Sequence, residues 1–138
     1  MLLPKKVKYR KWHTMRRNDD RVGMATRGTT LSFGSFGLKA TTAGRVKSQQ
    51  IEAARKVISR TLGKTGKIWI RIFPDMPYTQ KPAEVKLGKG KGDLAGYVAP
   101  VLPGRVMFEI DGVPDAVAKE AMRKAGTKLP VKSKVVAR

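Results

Sequence analysis

Lys67-Ile-Trp-Ile-Arg-Ile-Phe73 is the stretch on which the reading of the fold turns. Its large apolar residues alternate with the two-residue period of a strand. Ile68, Ile70 and Ile72 line one face, and Trp69, Arg71 and Phe73 line the other. Pro74 and Pro77 end the run, because proline cannot donate to a sheet ladder. Just upstream, residues 48–62 carry the clearest helical pattern. Ile51, Ala54, Ile58 and Leu62 fall on one face, Ser48 is a candidate N-cap, and Gly63 is a suitable stop.

Working outward, Thr29 to Ala40 reads as strand with glycine-marked bends, in which Leu31, Phe33, Phe36 and Leu38 supply the apolar positions. Residues 75–93 read mostly as loop. Leu94 to Leu102 and Arg105 to Ile110 read as a hairpin turned at Pro103-Gly104. Pro114 to Ala125 reads as a second helix, with Pro114 near its first position, Asp115 in its first turn and Gly126 at its end. Val117, Ala121, Met122 and Ala125 would pack inward. Leu129 to Val136 reads as a last strand. Strands with two helices and no βαβ rhythm predict an α+β fold, with a mainly antiparallel sheet and two helices. Residues 1–28 read as an extended basic N-terminal arm, and 29–138 as a single domain carrying a long Gly/Lys loop.

Charge dominates the composition. Thirty Lys and Arg face ten acids among 138 residues, a formal net charge of +20. Half of that excess lies in residues 1–50, which hold twelve basic and two acidic side chains. Such self-repulsion opposes compaction and calls for a partner that supplies negative charge. Nucleic acid is the leading candidate, and an anionic membrane a distant second. Apolar residues still make up 41%, enough for a real core. Cysteine is absent, which excludes a disulfide scaffold, thiolate metal sites and a cysteine nucleophile. No run approaches the ~20 apolar residues of a membrane-spanning helix. The N-terminus lacks the apolar stretch of a signal peptide, so the expected compartment is the cytoplasm, or its equivalent inside an organelle.

The basic residues are arranged for contact. Lys5, Lys6, Lys8, Arg10, Lys11 and His13 interleave with Tyr9 and Trp12 in the arm, and Arg16 follows. Aromatic rings there suit base stacking; a solvated tail is the plainer alternative. Lys39 and Arg45 lie beyond the arm. Arg55, Lys56 and Arg60 decorate the first helix, and Lys56, Arg60 and Lys64 recur every four residues. Such like-charge stacking costs an isolated helix about 0.2–0.5 kcal/mol per pair. A phosphate-facing side would explain it.

Val85-Lys-Leu-Gly-Lys-Gly-Lys-Gly92 is the densest feature. Gly88, Gly90 and Gly92 allow close backbone approach and positive φ, while Lys86, Lys89 and Lys91 neutralise phosphate. It is not a P-loop, which needs Gly-Lys-Ser/Thr opening a helix after a strand. A mobile loop with no specific contact is the bland alternative. Catalysis has little to work with. His13 is the one histidine, and Asp19-Asp20 and Asp111/Asp115 look like turn or cap chemistry. No cofactor and no metal are expected. Charge spread over arm, helix and loop suits a large irregular RNA surface better than a single reading helix. A free-standing nucleic-acid chaperone is the rival binding module, and a nuclease-like activity using His13 the rival enzyme.

Several blocks carry a family resemblance. They are Met1-Leu-Leu-Pro-Lys-Lys with Tyr9-Arg-Lys and His13, Phe33-Gly-Ser-Phe-Gly-Leu-Lys39, Gln50-Ile-Glu-Ala-Ala-Arg55 and Gly66-Lys-Ile-Trp-Ile-Arg71. Phe73-Pro-Asp-Met-Pro77, Lys81-Pro82, Gly88-Lys-Gly-Lys-Gly92 and Asp111-Gly-Val-Pro114 continue the series. In this order they resemble bacterial-type large-subunit ribosomal protein sixteen, whose universal family includes the archaeal and eukaryotic large-subunit protein ten. The resemblance runs to about Val136. It implies a non-enzymatic α+β domain seated on 23S rRNA among neighbouring large-subunit proteins. It also implies contact with A-site tRNA, with P-site tRNA as a second candidate. By the same resemblance the arm threads rRNA, and the Gly-Lys loop points toward the peptidyl-transferase centre. Lys86 stands where some bacteria hydroxylate an arginine, so that modification is not expected. Residues 14–27 are longer and more acidic than the usual arm, and arm contacts are not carried over to them.

Overall fold

A computed structural model describes residues 1–14, 18 and 21–138. The elements run β1 Phe36–Ala40, β2 Gly44–Lys47, α1 Ser48–Leu62, β3 Lys67–Ile70, β4 Met76–Gln80, β5 Asp93–Val101, β6 Val106–Asp111, α2 Asp115–Gly126 and β7 Ser133–Ala137. They form an α+β fold of two antiparallel sheets. One has four strands in the order β3-β6-β1-β7, and the other three in the order β2-β5-β4.

The alternation in the opening stretch places the core. In the four-stranded sheet Ile68 faces Ile110, which faces Phe36; Ile70 faces Phe108, which faces Leu38, which faces Val135. These two cross-strand rows form one apolar face. The helices cover it, with Ile51, Ala54, Ile58 and Leu62 from α1 and Ala118, Ala121, Met122 and Ala125 from α2 joining the same core. Fully burying a Phe, Leu or Ile side chain contributes roughly 1.5–3 kcal/mol, and Phe36, Leu38, Phe108 and Ile110 of these rows are buried. The next row, Trp69–Glu109–Gly37–Val136, points to the opposite face.

Six sequence expectations change. The strand expected over residues 67–73 ends at Ile70. Thr29 to Ala40 is strand only from Phe36; residues 28–35 instead cross the second face of the four-stranded sheet as a strap. Residues 76–80, expected as loop, form β4. Pro77 is tolerated there because β4 is an edge strand with one unpaired side. Segments 94–102 and 105–110 are not a hairpin. The turn at Pro103-Gly104 carries the chain from one sheet into the other, so β5 and β6 have different partners. The last strand is shorter, starting at Ser133 rather than Leu129. The N-cap of α1 is Lys47, not Ser48: the Lys47 N–H donates to Gln50 Oε1 at 2.8 Å. Ser48 instead donates its hydroxyl to the Leu2 carbonyl, which ties the first residues of the chain to α1.

Candidate nucleic-acid interface

The predicted cationic residues separate into three surfaces. On the arm, Lys5, Lys6, Lys8, Arg10 and His13 are exposed and Lys11 is half-buried. The Lys8 ammonium sits 5.6 Å from the Tyr9 ring centroid, a cation–π distance. Arg16 and the Asp19-Asp20 pair lie outside the described residues. The end of the arm rejoins the body, where the Ala25 N–H donates to the Pro103 carbonyl and the Val106 N–H donates to the Gly28 carbonyl.

On α1, Lys56 and Arg60 are exposed, as is Lys64 beyond the helix. Arg55 differs from them. Its Nε donates to Glu52 Oε2 at 3.0 Å, and its Nη2 donates to the other carboxylate oxygen. The Arg55 contact holds the Glu52 carboxyl below the usual glutamate value, and the ion pair as a whole carries little net charge. Arg123 is balanced in the same way by Glu120 on α2. Lys39 is half-buried on β1, and Arg45 is exposed on β2.

The Gly-Lys stretch is the far end of the β4–β5 hairpin, whose ladder closes at Gln80 and Asp93. Lys86, Lys89 and Lys91 are exposed, and Leu87 is 97% exposed. Three consecutive residues, Gly88, Lys89 and Gly90, have φ of 98°, 59° and 95°. Glycine makes this backbone accessible on either side, whereas Lys89 is a β-carbon-bearing residue held in the left-handed region. Gly92 passes against Gln80, where a Cβ would lie 2.9 Å from the Gln80 carbonyl carbon. The Lys81 ammonium donates to the Gly88 carbonyl, and the Lys91 ammonium donates to the Trp12 carbonyl. Loop and arm, 79 residues apart, therefore meet at one corner of the molecule.

A fourth cluster lies outside the three predicted surfaces. Glu109 is fully buried on the second face of the four-stranded sheet. Its Oε1 accepts the backbone N–H of Ser32, Phe33 and Gly34 at 2.7, 3.1 and 3.3 Å, and its Oε2 accepts from Arg71 Nη1 at 2.6 Å. Burial alone would raise this carboxyl, but Arg71 and the three N–H groups outweigh it and hold it below the ordinary glutamate value. The strap lies so close here that a Cβ on Gly34 would come within 2.4 Å of the Ile110 carbonyl oxygen. The signal was present in the sequence. Glu109 is one acid inside Val-Met-Phe-Glu-Ile, and Arg71 one base inside an apolar run. A lone charge in an apolar run calls for a partner when it is buried, and Arg71, just past the end of β3, supplies it.

Among the described residues no cluster of His, Cys, Asp and Glu could hold a metal ion, and no helix is long and apolar enough to cross a membrane. The family profile described as ribosomal protein L16p/L10e matches residues 4–136. The chain is 56% identical to the large ribosomal subunit protein uL16 of Thermosipho melanesiensis, over all of this chain and 94% of that protein. It is 54% identical to the uL16 of Halorhodospira halophila, over all of this chain and 98% of that one. Against the uL16 of Caulobacter vibrioides the identity is 53%, over all of this chain and 94% of the relative.

Proposed function

Because the chain belongs to the L16p/L10e family of ribosomal proteins, structural constituents of the ribosome rather than enzymes, we propose that it binds 23S rRNA in the large subunit and helps to seat A-site tRNA near the peptidyl-transferase centre. P-site tRNA and neighbouring large-subunit proteins are its further partners, and the cytoplasmic ribosome is its place of work. The observation that carries this reading is the segregation of charge. Glu52, Glu109 and Glu120 are each paired with an arginine. Lysines and arginines on the arm, on α1 and on the β4–β5 loop stay open to a polyanion.

Each surface has its own task. The arm supplies cations and rings to a folded RNA, whose unstacked bases are read by stacking. Lys56, Arg60, Lys39 and Arg45 neutralise phosphates and fix orientation without choosing sequence. The loop, with Lys86, Lys89 and Lys91 on a backbone that glycine keeps slim, reaches beyond the domain toward the tRNA. Replacing Lys89 and Lys91 together with alanine should leave thermal unfolding unchanged and slow A-site tRNA accommodation in ribosomes carrying the variant. Accommodation at the normal rate would remove the loop from this role.

A further inference from the structure

Phe33 is an exposed ring on an unusually rigid mount. It is 54% exposed, yet its own N–H is the middle one of the three that the buried Glu109 carboxylate holds. Its ring lies 6.0 Å from that of Trp69, centroid to centroid, at an interplanar angle of 17°. The Arg71 guanidinium carbon lies 5.2 Å from the Phe33 centroid, and the same guanidinium is fixed by Glu109. Two nearly parallel rings and a guanidinium, its charge balanced by Glu109, therefore form one pre-ordered surface. Lys67, two residues before Trp69 on β3, and the C-terminal Arg138 lie close enough to favour the ionised form of Asp111, which the Gly112 N–H and the Ser35 hydroxyl hold first. Ser35, which donates to that carboxylate, is itself two residues from Phe33.

We propose that Phe33, stacked against Trp69 and held by the Arg71 guanidinium over its ring, is a stacking platform for one unpaired base of the ribosomal RNA. The proposal rests on the RNA-binding reading above and adds a site outside the arm, α1 and the loop. An unpaired base offers a π-face to the exposed ring. Pinning by the buried carboxylate serves the fold, and it serves base stacking as well. Stacking gains, because a platform ordered beforehand loses less entropy when the base arrives.

The test uses the full chain and purified large-subunit ribosomal RNA, with affinity measured across a salt series. Phe33→Leu keeps an apolar cover over Trp69 and removes the π-face, whereas Phe33→Tyr keeps the face. Phe33→Leu should weaken binding about tenfold, or ~1.4 kcal/mol, within the range for one base stacked on an aromatic ring. It should leave the slope of log affinity against log salt unchanged, because stacking releases no counterions. Phe33→Tyr should bind like the parent. If Phe33→Leu binds like the parent while the Lys89/Lys91 double variant binds more weakly, the platform is overturned and the RNA-binding reading stands. If neither variant weakens binding, both fall. Ultraviolet crosslinking of native subunits is independent of any variant's folding. A nucleotide adduct on Phe33 or Trp69 supports the platform, and adducts confined to other peptides overturn it.

Discussion

Glu109 holds more of the molecule together than any other polar side chain described. Removing one partner of a buried ion pair leaves a charge without compensation, at a cost of about 3–5 kcal/mol. Glu109→Ala should therefore lose about that much unfolding free energy in urea, with the Arg71 guanidinium and three N–H groups left unmatched. The sign of the pH effect follows from the folded carboxyl lying below its ordinary value. Its contribution is complete above the unfolded glutamate value of about 4.3 and is lost as pH falls through the folded value. Wild type should exceed Glu109→Gln in stability by a constant margin from neutral pH down to about pH 5, and the two should converge in stronger acid. A margin that persists undiminished in strong acid would mean that the carboxylate charge contributes nothing. The pairing was only half legible in the sequence: each lone charge stood out in its apolar run, but its partner lay 38 residues away.

At the scale of elements, local pattern identified what local pattern determines. The apolar faces of α1 and α2 and the alternation of β3 follow from period alone; α1 is as expected, α2 buries Ala118 with Val117 half-buried, and β3 stops at Ile70. β2 carries one large apolar residue in Gly-Arg-Val-Lys, too little for a period, and forms because it pairs with β5. β4 carries a proline that argues against a strand unless one knows it lies at an edge. The supposed β5–β6 hairpin failed because a tight turn does not say whether the chain returns beside itself or enters a second sheet. The strap over residues 28–35 depends on Gly34 for its approach to Ile110. Gly34→Ala should cost about 1–3 kcal/mol, as an overpacked site does. It should also speed hydrogen exchange at the Ser32, Phe33 and Gly34 amides, while exchange within α1 and α2 keeps its parent ranking.

At the scale of the whole molecule, affinity for RNA should be governed by how many cations are free rather than how many are present. Deleting one cation that neutralises a phosphate lowers the magnitude of the salt slope by roughly 0.7–0.9. Lys56→Ala combined with Arg60→Ala should reduce it by roughly twice that amount. Arg55→Ala should reduce it much less, because Glu52 already balances that arginine. Equal effects from the three positions would show that the Glu52 pair opens on binding. The candidate site was legible as a set of cations and glycines, since charge and loop composition are written locally. Which cations are neutralised, and which corner gathers the arm and the loop, depends on folded neighbours such as Lys91 and Trp12.

The carboxylate beneath the strap also imposes a timetable. Ser32 and Glu109 are 77 residues apart in the chain. At about 5–20 residues per second, roughly four to fifteen seconds separate their synthesis. Throughout that interval the strap lacks the carboxylate that will anchor it. Any transcript drifting past the exit of the translating machine can capture it first, and fastening the strap then competes with letting that strand go.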